Sequence, residues 1–381
     1  MESSYPDVFE ACRKEVEAAL GRRDAVPGGW TDETVKQMLE ALILESGRKY
    51  CLTLEEKQRL SGLLFNRFRR LDRLQTLLEE EGITDILING GQEVYVERDG
   101  RLQSAGRLFD NQEQVLSLIQ RICGQAGRQV SQASPLVDAR LPDGSRIGAV
   151  LPPVALDGPV LAIRKFASRS FTLAQLVRSG TLEEEAALLL EGAVSDRQNI
   201  FLSGGTGSGK TTMINVLADL VPAGERIVTV EDSAELKIRG PANVVRLEAR
   251  EANQEGKGEI SLRRLVRMAL RLRPDRIILG EVRGPEALDM LQAMNTGHKG
   301  AMSSGHGNSA LDMLERLETL ALMADIGLPA PAIRRQIGSA LDLVVHLERR
   351  EDGSRVVKEI RRISHWTQRE PATELLYRRR E

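Results

Sequence analysis

Apolar residues recur along the chain with two periods, and the change from one to the other divides it. Leu60, Leu63, Leu64, Phe68, Leu71, Leu74 and Leu78 repeat every three to four positions, the spacing of a single helix face. Thr53-x-x-Glu56 just ahead has the form of a capping box, in which a side chain and a backbone amide satisfy each other at a helix start. Residues 1–80 therefore read as a helical region with that stripe as core. From Ile83 the period falls to two, in Ile86-Leu87-Ile88 and Val94-Tyr95-Val96, and Asp99-Gly100 predicts a hairpin turn. A helix over 112–125 and a second strand pair around Pro142-Asp143-Gly144 complete a small α+β domain over 81–163.

The polar stretch 164–171 breaks the pattern and predicts a linker, a place for a hinge. Two capped helices should follow: Thr172-x-x-Gln175 opens one that ends at Gly180, and Thr181-x-x-Glu184 opens the next. Beyond them short apolar runs at 199–202, 226–231, 243–247, 276–279, 301–303 and 343–347 alternate with helical stretches. Such alternation predicts an α/β domain over 172–381, a largely parallel sheet covered by helices.

Within that domain Gly204-Gly205-Thr206-Gly207-Ser208-Gly209-Lys210-Thr211 fits G-x-x-x-x-G-K-[ST], between a strand and a helix that includes Thr212. The context matters as much as the spelling. Glycines let backbone N–H groups curl round a phosphate chain, and the new helix adds its unpaired amides and positive dipole end. Lys210 should reach the β- and γ-phosphates and Thr211 should ligate Mg²⁺, so the chain is expected to bind ATP with Mg²⁺.

Hydrolysis needs more than a cradle: a carboxylate to position water, a hold on the metal, and cations where charge develops. Ile277-Ile278-Leu279-Gly280-Glu281 is an apolar strand ending in an acid, the form of a Walker B element. Gly280 stands where the generic version has Asp, which makes Glu281 the expected sole acid at that tip and a water-mediated Mg²⁺ contact. The strand over 226–230 delivers Glu231-Asp232-Ser233-Ala234-Glu235, from which Glu235 or Glu231 could act as general base. If the two strands are neighbours, this cluster lies beside the P-loop, outside the carboxyl ends of the strands where ligands of open α/β sheets bind.

His298 and His306 flank the strand over 301–303; without Cys or a third ligand they suit phosphate contacts better than metal. If the 142–144 loop has Gly144 left-handed, Arg140 and Arg146 face each other across the hairpin. Like charges so placed cost about 0.2–1 kcal/mol. Asp138 could neutralise them; alternatively an anion fits between them, such as a γ-phosphate held by a second copy.

Composition narrows the partners. The 381 residues carry a net charge of −2, with 53 cations against 55 acids and 3% aromatics. No basic, aromatic-lined channel for nucleic acid is expected from that balance. The terminal Arg378-Arg379-Arg380 reads as a solvated run. Cys12, Cys51 and Cys123 are too few and too far apart for zinc or a disulfide framework, which suits a reducing cytoplasm. No signal peptide and no apolar stretch of membrane-spanning length is evident, so a membrane role would be peripheral.

With these motifs in hand, the chain resembles the hexameric ATPases of type II and type IV secretion and type IV pilus assembly. Within them it is most similar to the CpaF subgroup of the Tad/Flp pilus systems. The likeness rests on SPLVDARLPDGSRI (134–147), SGGTGSGKTT (203–212), VTVEDSAEL (228–236), EGKGEI (255–260), LRPDRIILGEVRGPEALDMLQAMNTGH (272–298) and HGNSA (306–310). It implies a RecA-like P-loop domain beside a smaller N-terminal domain. It also implies Glu235 as catalytic carboxylate, Glu281 as Walker B acid, His298 and His306 as the His box, and Arg140 and Arg146 as trans-acting arginines. The implied machine is a cytoplasmic ring at the inner face of the membrane, of six copies as the resemblance implies, working with membrane platform proteins on pilin assembly or export. The His box departs from the family form: Ser304-Gly305-His306-Gly307 carries two glycines, expected to loosen the backbone there. A DNA-translocating motor on the same core and a weakly hydrolysing nucleotide-gated scaffold remain alternatives.

Overall fold

The computed structural model describes residues 5–20, 31–50, 52–90, 92–98, 100–125, 127–141, 143–165, 171–250, 257–366 and 371–380. Asp99, Pro142 and most of the expected linker, 166–170, lie outside the described residues. The chain divides into two compact units, Met1–Phe166 and Ala167–Glu381.

The first unit opens with three helices, α1 (Tyr5–Leu20), α2 (Asp32–Lys49) and α3 (Leu54–Arg69). Val8, Cys12 and Val16, then Val35, Leu39 and Ile43, then Leu60 and Leu64 recur at i+4 and form one buried core. Thr53 caps α3 with the reciprocal Glu56 bonds that the sequence predicts. The apolar stripe does not continue as one helix. After α3 the chain passes through a short 3₁₀ turn into α4 (Gln75–Glu79), and Asp72 adopts φ +54°. Leu71 and Leu74 pack in a different core from Leu60 and Leu64, the core under the sheet that follows. One period thus serves two cores, because a 3.6-residue repeat records a helix face but not what covers it.

That sheet has β1 (Ile83–Asn89), β2 (Glu93–Arg98), β3 (Arg101–Arg107), then α5 (Gln112–Gln125), β4 (Leu136–Arg140), β5 (Arg146–Val150) and β6 (Val160–Arg164). Its order is β3-β2-β1-β6-β5-β4, antiparallel throughout. Ile86 and Ile88, Val94 and Val96, Ile147 and Ala149, Leu161 and Ile163 alternate into its core, and α5 covers them with Val115, Leu118, Ile119 and Ile122.

The second unit begins with α6 (Leu173–Arg178) and α7 (Glu184–Ser195). Thr172 and Gln175 form the expected capping box. Thr181 does not cap α7; Glu183 holds that place without a side-chain cap bond. Thr181 instead lies in a bend, its carbonyl accepting from Val357 N, while Leu182 is drawn into the core. The packing of Leu182 overrides the local cap signal.

Then come β7 (Ile200–Gly204), α8 (Lys210–Asp219), β8 (Arg226–Glu231), β9 (Asn243–Glu248), α9 (Leu262–Ala269), β10 (Arg276–Leu279), α10 (Glu286–Asn295), β11 (Met302–Gly305), α11 (Ala310–Leu322), α12 (Ala330–Ala340), β12 (Leu343–Arg349), β13 (Arg355–Trp366) and β14 (Pro371–Arg378). The sheet order is β14-β13-β12-β7-β11-β10-β8-β9. The six strands from β12 to β9 run parallel, and β13 and β14 add an antiparallel edge. Buried residues form a core on each face, α9 to α12 on one and α6 to α8 on the other. The second unit is thus a RecA-like P-loop α/β sandwich, with a smaller α+β unit and a helical extension before it. β8 is not beside β7: β11 and β10 lie between them. The C-terminal arginines are not simply solvated either. Arg379 is mostly buried, lying 3.8 Å from Glu183 and donating to the Thr181 carbonyl.

Candidate active site

In a parallel sheet every strand delivers its carboxyl end to one edge, and the residues that follow β7, β8, β10 and β11 gather there. Gly209 caps α8 in the left-handed region, φ +96°, where a side chain would be strained. Lys210 is 8% exposed. Its ammonium donates to the carbonyls of Gly204 and Gly205, each at 2.9 Å, and to His306 Nδ1 at 3.4 Å. Burial pushes the Lys210 pKa down, and the neighbouring Glu281 opposes that shift.

His306 follows β11 and bridges the lysine to the acid at the end of β10. With Nδ1 accepting from Lys210, the neutral ring carries its hydrogen on Nε2, which lies 2.8 Å from Glu281 Oε1. Burial, then Lys210, hold the His306 pKa below its usual value, which favours this neutral form. The other Glu281 oxygen accepts from Arg283 Nη2 at 2.8 Å, and Arg283 Nη1 lies 3.9 Å from Asp232. The bond to Glu281 raises the Arg283 pKa. Lys210, His306, Glu281, Arg283 and Asp232 form one continuous polar chain across the ends of four strands.

Glu235 reaches the P-loop helix despite the two intervening strands: Thr211 Oγ1 donates to Glu235 Oε2 at 3.4 Å. Glu231 is not available in the same way, since its Oε1 already accepts from two backbone amides, Glu235 N and Leu236 N. Nor is Glu281 the sole acid at the tip of β10. A Cβ on Gly280 would lie 3.0 Å from Glu231 Cγ, so the Glu231 side chain fills the space that a residue at 280 would use.

The two glycines around His306 do not loosen it. A Cβ on Gly307 would lie 2.9 Å from both Met313 Cβ and Ser203 Oγ. They are glycines because α11 and β7 approach so closely. Gly307→Ala is therefore expected to destabilise the fold by about 1–3 kcal/mol through overpacking. Urea unfolding measures this, and an unchanged midpoint would mean the loop yields freely.

His298 is not brought to this cluster. It follows α10 at the amino end of β11, the opposite end from His306 and the P-loop. Arg140 and Arg146 sit in the first unit and are directly paired across β4 and β5, with Gly144 at φ +93°. Arg146 in turn opposes Arg164 on β6, so three arginines line one cross-strand row. Asp138 forms no ion pair among the described residues.

Sequence reasoning missed three residues at the site. Arg283 sits only two positions after Glu281, and its charge beside an acid was the available signal. Arg355, at the start of β13, donates to the Gly207 carbonyl at 2.8 Å. His346 on β12 is buried and its Nδ1 lies 3.1 Å from Ser203 Oγ. Neither has a local signal, because each comes to β7 from more than a hundred residues away.

The donor set fits Mg²⁺. Among the described residues no group of three His, Cys, Asp or Glu could hold a metal by itself. Mg²⁺ in a phosphate site needs no such group, since it keeps waters and shares the phosphates with one or two protein oxygens. The Thr211 hydroxyl, already facing a carboxylate, and Glu281 are the residues that would hold it.

Comparison with known proteins agrees with this architecture. A model of the family described as type II/IV secretion system protein matches residues 70–377. A Mycobacterium tuberculosis protein named for conjugal transfer is 40% identical over 75% of this chain and 82% of its own length. The Bordetella pertussis type IV secretion system protein PtlH is 35% identical over 74% of this chain and 89% of its own. A crystal structure described as the pilus retraction motor PilT with bound ADP superposes with a TM-score of 0.54 at 22% identity, over 80% of this chain and 82% of that one. That last likeness speaks to fold.

Proposed function

Because this chain belongs to the type II/IV secretion system protein family, we propose that it is a ring-forming ATPase that turns hydrolysis into motion between its two units, powering Tad/Flp-type pilus assembly or type II/IV protein secretion. The observation that carries the reading is the convergence of Lys210, His306, Glu281 and the Thr211–Glu235 pair at one edge of the parallel sheet. Gly204 to Thr212 supply the phosphate cradle and the start of its helix. Lys210 holds the β- and γ-phosphates, and Thr211 and Glu281 hold Mg²⁺, which neutralises phosphate charge when bound.

Glu235 is the general base for the attacking water, being the carboxylate within reach of the metal-side hydroxyl. His306, neutral with a hydrogen on Nε2, is poised between lysine and acid and reports the γ-phosphate to Glu281. His298 takes no part in the same copy's site. Arg140 and Arg146 of a neighbouring copy supply the charge that the polar chain lacks, as arginine fingers do for GTPases. The working form is then a ring, with six copies by family resemblance, at the cytoplasmic face of the inner membrane against platform proteins. Among the described residues no helix is long and apolar enough to cross a membrane.

The shared site is tested by mixing. Arg140→Ala subunits and Glu281→Gln subunits are each expected to be nearly inactive alone, whereas mixed rings contain some seams with both wild-type halves and regain Mg²⁺-dependent ATP hydrolysis. No recovery in rings shown to be mixed counts against the shared site. Running the assay with and without single-stranded DNA separates the motor proposed here from a DNA-translocating one, which DNA would stimulate.

A further inference from the structure

The catalytic carboxylate assigned above sits on a segment without a ladder of its own. After β8 the chain turns so that Glu235 faces back toward α8, and four consecutive backbone amides are held by side-chain oxygens instead of by strands. Ala234 N donates to Glu248 of β9 at 3.1 Å, and Lys237 N donates to Asn215 of α8 at 2.7 Å. The middle two, Glu235 N and Leu236 N, both donate to Glu231 Oε1, at 2.7 and 2.8 Å. Glu231 is 3% exposed, and its Oε2 is buried with no donor among the described residues. A buried polar group held this way is costly, so the two bonds it makes must matter to what they fix.

Gly280 belongs to the same device. Its amide donates to the Val230 carbonyl at 2.9 Å and its carbonyl accepts from Ser304 Oγ at 2.7 Å, so its backbone is pinned between β8 and β11. With the backbone fixed, a Cβ there would meet Glu231 Cγ at 3.0 Å. The position that a generic Walker B strand gives to Asp is left empty of side chain here, and Glu231 enters from the next strand.

We propose that Glu231 is the positioning residue of the catalytic carboxylate: its Oε1 fixes the amides of Glu235 and Leu236 so that Glu235 stays facing Thr211, and residue 280 is glycine in order to admit it. Glu231 touches neither nucleotide nor metal; it acts through Glu235. An oxygen acceptor is what the role requires, and burial, which pushes the Glu231 pKa up against the pull of the two amides, leaves Oε1 an acceptor in either protonation state. The proposal rests on the ATPase reading above.

The test uses the full-length chain with Mg²⁺ and ATP, a fluorescent ATP analogue for affinity, and thermal unfolding as a control. Glu231→Ala is expected to lower kcat about 10- to 100-fold, since a misplaced reacting group costs on that order, while KM and analogue affinity stay within about twofold. Glu231→Gln keeps an oxygen at the same place and is expected to hold kcat within about threefold. Gly280→Ala is expected to lower kcat as Glu231→Ala does, and to add nothing when combined with it, because both changes break one contact. Wild-type kcat in Glu231→Ala, a Gln variant as poor as the Ala variant, or losses that multiply in the double variant would each overturn the proposal. Hydrogen exchange at the amides of Glu235 and Leu236 reads the same device without turnover. They should be protected in the wild type and in Glu231→Gln and fast in Glu231→Ala; protection retained in Glu231→Ala overturns it. If the wild type shows no hydrolysis at all, the ATPase reading fails while the exchange experiment still decides the role of Glu231.

Discussion

Lys210→Ala removes tight ATP binding, with affinity expected to fall about a hundredfold or more, while the empty protein folds as stably as the wild type. The two halves of that result have the same cause. The Lys210 ammonium is buried at the P-loop, where desolvation lowers its pKa, and its hydrogens are directed at the Gly204 and Gly205 carbonyls and at His306. A buried cation of this kind adds little net stability, because its desolvation offsets what its bonds return. Against a triphosphate the balance changes, since charge-assisted bonds to phosphate are worth about 1.5–3 kcal/mol each and every 1.4 kcal/mol is tenfold in affinity. Calorimetric titration with ATP measures the loss. Thermal unfolding with and without ATP gives a second reading, because a ligand at about a hundred times its Kd stabilises by about 2.7 kcal/mol and the variant should show almost none of it. Unchanged ATP affinity would remove Lys210 from the phosphate site; an unfolded variant would mean that its three bonds are structural.

The elements that were legible in the sequence are those whose physics is local. β7, α8 and the loop between them announce themselves through an apolar run, glycines and a helix start within twenty residues. The strands at 226–231, 276–279 and 343–347 were equally plain, being buried on both faces and hence mostly apolar, with Ile227-Val228, Ile277-Ile278-Leu279 and Leu343-Val344-Val345 as their cores. Strand order was not legible: two strands separate β8 from β7, and only the long connections decide that. β13 and β14 were missed because Arg355, Lys358, Arg361 and Arg362 interrupt the apolar period of the first, and Pro371, Thr373 and Glu374 that of the second, which is the edge strand.

The site was legible as a set of residue types and only partly as a set of contacts. Lys210, Thr211, Glu235, Glu281 and His306 do converge, and each lies in a run that says strand end or helix start. What failed were inferences about space around small residues. Gly280 read as an absence of acid and Gly307 as slack, yet the first admits Glu231 and the second admits Met313 and Ser203. A glycine states that something comes close but not what, since the neighbour arrives from elsewhere in the chain. His298 failed for the same reason in reverse: eight residues from His306 in sequence, it is separated from it by the full length of a strand.

Glu281→Gln should leave ATP bound and hydrolysis slowed about 10²- to 10³-fold, the scale of losing one preorganised electrostatic contact in an active site. The substitution keeps size and shape but replaces one oxygen with a donor and removes the charge. In the wild type Oε2 accepts from Arg283 and Oε1, buried and without a hydrogen bond of its own, lies against His306 Nε2, each at 2.8 Å. A glutamine puts its NH₂ against either the His306 ring nitrogen or the guanidinium, and as a donor it finds nothing on Arg283 to accept it. The polar chain from Lys210 to Asp232 is cut at its centre, and the metal loses a negative neighbour. Glu281 is also the group that opposes the downward shift of both Lys210 and His306, so its loss leaves His306 still more firmly neutral. Lys210 and the loop amides are untouched, which is why binding persists and the defect falls on kcat. Single-turnover hydrolysis with the analogue affinity measured in parallel separates the two, and a variant with wild-type kcat would show that β10 does not carry the metal-side acid. Glu231→Ala is expected to share the kcat defect but not the effect on His306. The two variants therefore differ at His306: Glu281→Gln lowers its pKa further and Glu231→Ala leaves it in place, which NMR titration of the His306 ring measures.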